Sequence, residues 1–248
     1  MSKKKHPTYF KGDADKEYNI ESMRKYVRDK QELDKLLEKL VSPYLSKGSP
    51  QVLDAACGVG HLEYHFAPQF PNAHFTGIDQ TRYLIEEAKN ITAEMPNTEF
   101  FVGDIYTLGE THPKQFDITY CWKTFSWIPA YEDAMRGVVA ATKSHLFVNG
   151  LFYEGEIDYE IKVREHTKEA GADDFNVYFN IYSLPRFKRF CTELGAKKIH
   201  EYDFEIGIDL PRGNIDHVGT YTIKLENGKR MQMSGAVPMP WKILHIEL

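Results

Sequence analysis

The segment VLDAACGVGH, Val52 to His61, reads as a short buried strand that ends at an acid and turns through Gly58 and Gly60 into a helix. Glycine lets such a turn adopt positive φ and lets a ligand lie against bare backbone. The helix that follows presents free amides at its N-terminus. Tight strand-to-helix turns also use glycine for structural reasons alone, so the neighbouring segments decide the reading.

Those neighbours alternate. HFTGID (74–79) and TEFFVGD (98–104) read as second and third strands, each ending in an acid, FDITYCW (116–122) as a fourth and GLFYEGEI (150–157) as a fifth. HLEYHFAPQF (61–70), TRYLIEEAKNITAEM (81–95) and YEDAMRGVVAATKSHL (131–146) read as the helices between them. Strands alternating with helices imply parallel pairing, right-handed crossovers and a doubly wound sheet. Upstream, Tyr18 to Leu45 is expected to be helical, with Leu33, Leu36, Leu37, Leu40 and Val41 as one apolar stripe, until SKGSP (46–50) breaks it. Downstream, SLPRFKRFCTELGA (183–196) carries helix start and stop signals, and KKIHEYDFEI (197–206) reads as a strand. Asn227-Gly228 between two alternating runs signals a hairpin, so an antiparallel end to the sheet is expected.

The acids narrow the ligand. Asp79 follows the glycines by about 20 residues, where a carboxylate can accept both hydroxyls of a ribose; it can equally cap the next helix. Asp104 is placed to accept from an adenine amino group. A dinucleotide loop expects a third glycine where Glu63 stands, and no P-loop pattern occurs. Asp54, just before the turn, would repel a pyrophosphate and attract an ammonium group. The expected ligand is an adenosine carrying a cation.

VLDAACGVG, HFTGID, EFFVGDI and FDITYCWKTFSWI resemble, in order and spacing, the motifs of class I S-adenosylmethionine-dependent methyltransferases, over Gln51 to about Gly150. The resemblance implies S-adenosyl-L-methionine as cofactor. It also implies an α/β fold: a doubly wound, mostly parallel seven-stranded sheet with an antiparallel C-terminal hairpin. Asp54, Ala56, Cys57, Gly58 and Gly60 would line the methionine end of the cofactor, and Asp79 with Gln80 would hold the ribose. Asp104 and Ile105 would flank adenine, with Cys121 and Trp122 on the sulfonium side. Residues 1–48 would form a helical segment or lid, 49–248 the Rossmann-like domain, and 159–182 a substrate-side insertion. One letter departs from the pattern: Ala56 stands where the family usually has glycine, so a slightly tighter loop is expected.

The acceptor side is less specific. The loop CWKTFSWIPAYEDA (121–134) could clamp a substrate between Trp122, Phe125 and Trp127, or these rings could be core. The aromatic residues of FNVYFNIY (175–182) could likewise line a pocket or pack a lid. Glu154, Glu156 and Asp158 alternate after the fifth strand and would share one face if it continues; Glu156 leads as a base candidate, followed by His61 and Glu154, with His217 weaker. No histidine or carboxylate set has metal-ligand spacing, so no metal is expected in the reaction. The expected activity is methyl transfer to a small molecule, most plausibly at oxygen of a metabolite, natural product or nucleotide-linked sugar. N-methylation of an amine, a non-catalytic adenosine-ligand protein and a NAD enzyme are the alternatives.

Composition sets outer bounds. The 248 residues suffice for one large domain, and 42% hydrophobic with 27% charged residues is ordinary for a globular protein. A net charge of -5 argues against general nucleic-acid binding, and Lys3-Lys4-Lys5 is too short to change that. Three widely spaced cysteines suggest reduced thiols. No secretory signal and no membrane span are visible, so a cytoplasmic protein is expected, with a homodimer left open.

Overall fold

The computed structural model describes residues 16–164, 177–213, 215 and 219–248. Helices α1 (Lys16–Arg28) and α2 (Glu32–Leu45) lead into β1 (Gln51–Ala55), α3 (His61–Phe66), β2 (His74–Asp79), α4 (Arg82–Ile91) and β3 (Thr98–Val102). Then come α5 (Leu108–Thr111), β4 (Phe116–Cys121), α6 (Glu132–Ala141) and β5 (Thr142–Tyr153). Short strands β6 (Lys162–Val163), β7 (Val177–Tyr178) and β8 (Ile181–Ser183) precede α7 (Leu184–Glu193) and β9 (Lys198–Asp203). The chain closes with β10 (Thr220–Lys224), β11 (Arg230–Ser234), β12 (Val237–Pro238) and β13 (Trp241–Glu247).

Seven strands run in the order β3-β2-β1-β4-β5-β13-β9, and β8 pairs beside β5. The pairs from β3 through β5 are parallel, whereas β13 is antiparallel to both β5 and β9. The expected doubly wound, mostly parallel sheet is therefore present. The hairpin at Asn227-Gly228 also forms, as β10 and β11, but it belongs to a separate three-stranded sheet with β12. The antiparallel edge of the main sheet comes from β13 instead.

Alternation along the strands sends successive side chains to opposite faces. Leu53, Leu146, Val148 and Leu244 join the core under α5, α6 and α7; Val52, Phe147 and Ile243 join the core under α2 and α3. The single helix expected over Tyr18–Leu45 divides at 29–31. Leu33, Leu37, Val41 and Leu45 of α2 are buried in the second core, so α2 is part of the packed body. Helix α1 instead lays Ile20, Met23 and Val27 across Val59, Tyr83 and Leu84, over the segments that frame the glycine turn.

Two boundaries differ from the sequence reading. The helix expected to reach Leu146 stops at Ala141, where the Thr142 hydroxyl donates to Val138 O (2.7 Å) and closes the last turn. The fifth strand thus starts eight residues before Gly150, pairing first with Phe116 of β4. At its other end it stops at Tyr153, so Glu154, Glu156 and Asp158 do not share a strand face. Among the described residues no helix is long and apolar enough to cross a membrane.

Replacing fully buried Leu37 by alanine should cost about 2–5 kcal/mol in chemical denaturation, the range for a large core truncation. A cost below about 1 kcal/mol would show that α2 contributes little to the body of the fold.

Candidate functional site

The turn after β1 is left-handed at three alternate residues: φ is +71° at Ala56, +56° at Gly58 and +69° at Gly60. It is held from the next strand. Ile78 O accepts from Ala56 N (2.7 Å) and Cys57 N (3.1 Å), and Asp79 Oδ2 accepts from Gly58 N (3.0 Å). A Cβ on Gly60 would stand 2.7 Å from Phe100 Cε1, whereas one on Gly58 would meet only the terminal methyl of Met23 (2.3 Å); at Gly58 the left-handed φ is what calls for glycine. Ala56 is the departure noted in the sequence, and its residue adopts a conformation that costs an L-residue roughly 1–2 kcal/mol. The loop keeps its shape because the two bonds to Ile78 O over-determine it.

Asp79 bonds at the start of the next helix, the alternative to a ribose, and also ties the loop. Its Oδ1 accepts from Thr81 N (2.8 Å) at the start of α4, while Oδ2 ties down the loop. Each oxygen thus retains acceptor capacity beyond these bonds. Burial holds this carboxyl above its ordinary pKa, opposed by the amides of Thr81 and Gly58. Gln80 is exposed at the rim. Asp104 Oδ1 caps the short 3-10 turn by accepting from Tyr106 N (3.0 Å), and Ile105 is buried beside it. The carboxyl ends of β1, β2, β3 and β4 thus carry Asp54, Asp79, Asp104 and Cys121 along one crevice edge, the usual ligand position in open α/β sheets.

Beneath the loop lies a feature the sequence did not announce. Glu63, at the position of the missing third glycine, is fully buried and pairs with Asp54. Burial raises both groups, Glu63 to about 7, and Asp54 is raised further by the neighbouring Glu63 charge. Burial and their mutual repulsion oppose ionising both carboxyls together, and Asp54 Oδ1 and Glu63 Oε2 have no hydrogen-bond partner within the described residues. Tyr120 Oη donates to Glu63 Oε1 (3.2 Å). The charge expected of Asp54 is thereby largely neutralised within the protein.

A second hub joins α2 to the loop after β4. Asp34 is fully buried; its Oδ1 accepts from Trp122 Nε1 (2.9 Å) and from Lys123 Nζ (2.8 Å). Burial pushes the Asp34 pKa up, but Lys123 and His61 pull it well below the usual carboxylate range. Lys123 also donates from Nζ to Gln31 Oε1 (2.6 Å), and from its backbone N to Asn149 Oδ1 (2.6 Å). Its φ of +53° aims the loop. The Trp122 ring therefore anchors to α2. Cys121 is buried, and burial holds its thiol protonated, far above its ordinary pKa.

His61 stands 3.6 Å from Asp34 Oδ2, too far for a hydrogen bond, and neither of its nitrogens is bonded within the described residues. Burial lowers its pKa. The buried Asn149 Nδ2 likewise has no bonded partner. These polar atoms, with the spare lone pairs of Asp79, suit a polar ligand lying across the loop, and the donor set fits an adenosine with an amino-acid tail.

The acceptor-side candidates are not gathered there. Glu156 makes a bidentate ion pair with Arg189 (2.6 and 2.7 Å), and Arg189 lowers its pKa. Glu154 pairs with Lys242 (2.7 Å) and lines an open 370 Å³ cavity with Leu184, Arg189 and Glu201, apart from the glycine loop. Asp158 pairs with Arg186 and accepts from Ser183 N (2.6 Å). Trp127 packs on Phe179 and Trp241, at 5.0 and 5.5 Å, joining the loop to the sheet edge. His217 lies outside the described residues.

Residues 52–145 match the family described as a methyltransferase domain. A malonyl-(acyl-carrier protein) O-methyltransferase of Halalkalibacterium halodurans is 28% identical over 170 residues, 63% of this chain and 60% of that protein. A trans-aconitate 2-methyltransferase of Deinococcus radiodurans is 33% identical over 149 residues, 60% of this chain and 52% of that one. The chain thus spans less than two thirds of either relative. The magnesium protoporphyrin IX methyltransferase of Synechocystis PCC 6803, solved with bound SAH, has the same fold, with a TM-score of 0.58 and 14% identity over 95% of this chain and 96% of that one.

Two outcomes check the site. Ala56→Gly should raise stability by up to about 1 kcal/mol in urea denaturation, by relieving the left-handed alanine; a clear loss would mean the turn carries no strain. Lys123→Met should cost about 3–5 kcal/mol at pH 7, because it leaves Asp34 buried and unpaired. The depressed pKa of Asp34 contributes stability above the unfolded carboxylate range that is lost as pH falls. The gap between wild type and variant should therefore narrow in acid; a constant gap from pH 7 to pH 3 would count against the ion pair.

Proposed function

Because this chain belongs, through the domain at residues 52–145, to the class I S-adenosylmethionine-dependent methyltransferases, we propose that it methylates a carboxylate oxygen of a small-molecule acid. The observation that carries the choice of acceptor is the Glu156–Arg189 pair. An alcohol or phenol acceptor commonly calls for a base, and each carboxylate the sequence offered for that task is bound to a cation. A carboxylate acceptor is already the nucleophile and needs only placement. The names of the two relatives, which carry malonyl and aconitate, support the same chemistry.

When bound, S-adenosylmethionine supplies an electrophilic methyl group on a sulfonium. The chain's part is orientation. Gly58 and Gly60 give the left-handed turn that leads into α3, and Asp79 offers its free lone pairs to ribose hydroxyls. Asp104 and Ile105 frame the adenine side. The buried Asp54–Glu63 pair lies beneath the loop, and Asn149 and His61 carry polar atoms with no hydrogen-bond partner within the described residues. Helix α1 crosses above and shields this region from water, with Met23 against Gly58. A cytoplasmic setting accompanies this reading, supported by three cysteines that are free and buried.

The test uses purified protein, methyl-labelled S-adenosylmethionine and a panel of mono- and dicarboxylic acids, free and as carrier-protein thioesters, alongside amines and phenols. Label should appear in a base-labile methyl ester. Base-stable label on amines or phenols would replace the carboxylate reading, and saturable cofactor binding without transfer to any acceptor would favour a non-catalytic adenosine-ligand protein. Asp79→Ala should weaken S-adenosylhomocysteine binding at least tenfold in calorimetry; unchanged affinity would remove Asp79 from the ribose site.

A further inference from the structure

A second polar cluster occupies the opposite end of the sheet. His145 on β5 pairs in register with Ile118 on β4, which pairs with Val52 near the start of β1. The glycine turn leaves the other end of β1. In the antiparallel ladders His245 of β13 lies opposite His200 of β9, and Glu247 opposite His145 of β5. Alternate residues of β13 share a face, so four metal-competent side chains project together.

The geometry is close to that of a coordination sphere. His200, His245 and Glu247 each offer one ligand atom, and all three atoms lie within 4.8 Å of one another. His200 Nε2 is 2.7 Å from Glu247 Oε1, and His145 Nδ1 is 3.1 Å from His245 Nε2. His245 is buried with its ring stacked on Phe147 (4.4 Å), whereas the side chains of His200 and Glu247 are 30% and 37% exposed. One ligand is thus rigid and two are open to incoming solvent. We propose that His200, His245 and Glu247 bind a borderline transition-metal ion such as Zn²⁺, with His145 as a positioning partner that orients the His245 ring.

Two imidazoles and a carboxylate are a donor set suited to such ions, with water completing the sphere. Bonds of about 2.0–2.2 Å need the three atoms to draw in by roughly 1 Å from their present spread. The exposed His200 ring, stacked at 5.1 Å on His245, is the one that turns. The contact of His145 Nδ1 with His245 Nε2 holds the His245 ring in place, as outer partners of a ligating imidazole do. The ion would clamp edge strand β9 to β13, away from the methyl-transfer crevice. Sequence spacing alone did not show the site because His200 comes from a separate strand.

The test takes untagged protein, treated with EDTA and desalted, and titrates it with CoCl₂ and then ZnCl₂. One equivalent of Co²⁺ should give visible d–d absorption without a thiolate charge-transfer band, and Zn²⁺ should displace it and raise Tm. His200→Ala and Glu247→Gln, both at partly exposed positions and checked for folding by circular dichroism, should each bind Co²⁺ at least tenfold more weakly. His74→Ala, at an exposed histidine elsewhere, should bind as the wild type does. Absence of saturable binding, a thiolate band, or unchanged affinity in both folded site variants would overturn the proposal.

Discussion

The site rests on the grip of β2 on the turn after β1. Ile78 O takes two amides of that turn and Asp79 takes a third, and together they hold three alternate residues in left-handed geometry. Without that grip the chain has no reason to expose bare backbone at Gly58, to begin α3 at His61, or to bring Glu63 beneath Asp54. An alanine is tolerated at position 56 because neighbouring strands impose the conformation its own preference opposes. One carboxylate, Asp79, therefore shapes the loop and the start of α4 together.

Buried charge does the remaining fastening, in two different ways. Burial raises the pKa of Asp54 and Glu63 under the loop, which lowers the cost of keeping two carboxyls there, and Tyr120 donates to Glu63. Asp34 stays ionised, and Lys123, Trp122 and the nearby His61 compensate it. That second arrangement couples α2 to the loop after β4 and leaves the Lys123 charge committed. The crevice is thus rich in polar atoms, and the imidazole of His61 stands among them with neither nitrogen bonded within the described residues.

Surface electrostatics follow a different rule. Glu154, Glu156 and Asp158 each meet a Lys or Arg from α7 or β13, in pairs exposed enough that each contributes little to stability. Their effect is to withdraw the three acids from the task that strand alternation suggested. The fold itself does not choose the chemistry, which rests on the side chains in the crevice.

Local pattern determined much of this protein. The alternation of strands and helices, the acids at strand ends, the glycine turn and the Asn227-Gly228 hairpin are all visible in sequence, because period and turn chemistry act over a few residues. Three further matters were decided only by the tertiary structure. The hairpin left the main sheet and β13 took the antiparallel position, because strand pairing depends on partners far away in the chain. Glu63 and Asp34 became buried anchors, and Asp34 does not stand out in sequence, where Glu32, Lys35, Glu38 and Lys39 surround it. His145, His200 and His245 came together across three strands, and Glu156 was claimed by Arg189. A side chain's partner is set by three-dimensional proximity, and proximity between strands and helices distant in sequence is what short-range pattern cannot encode.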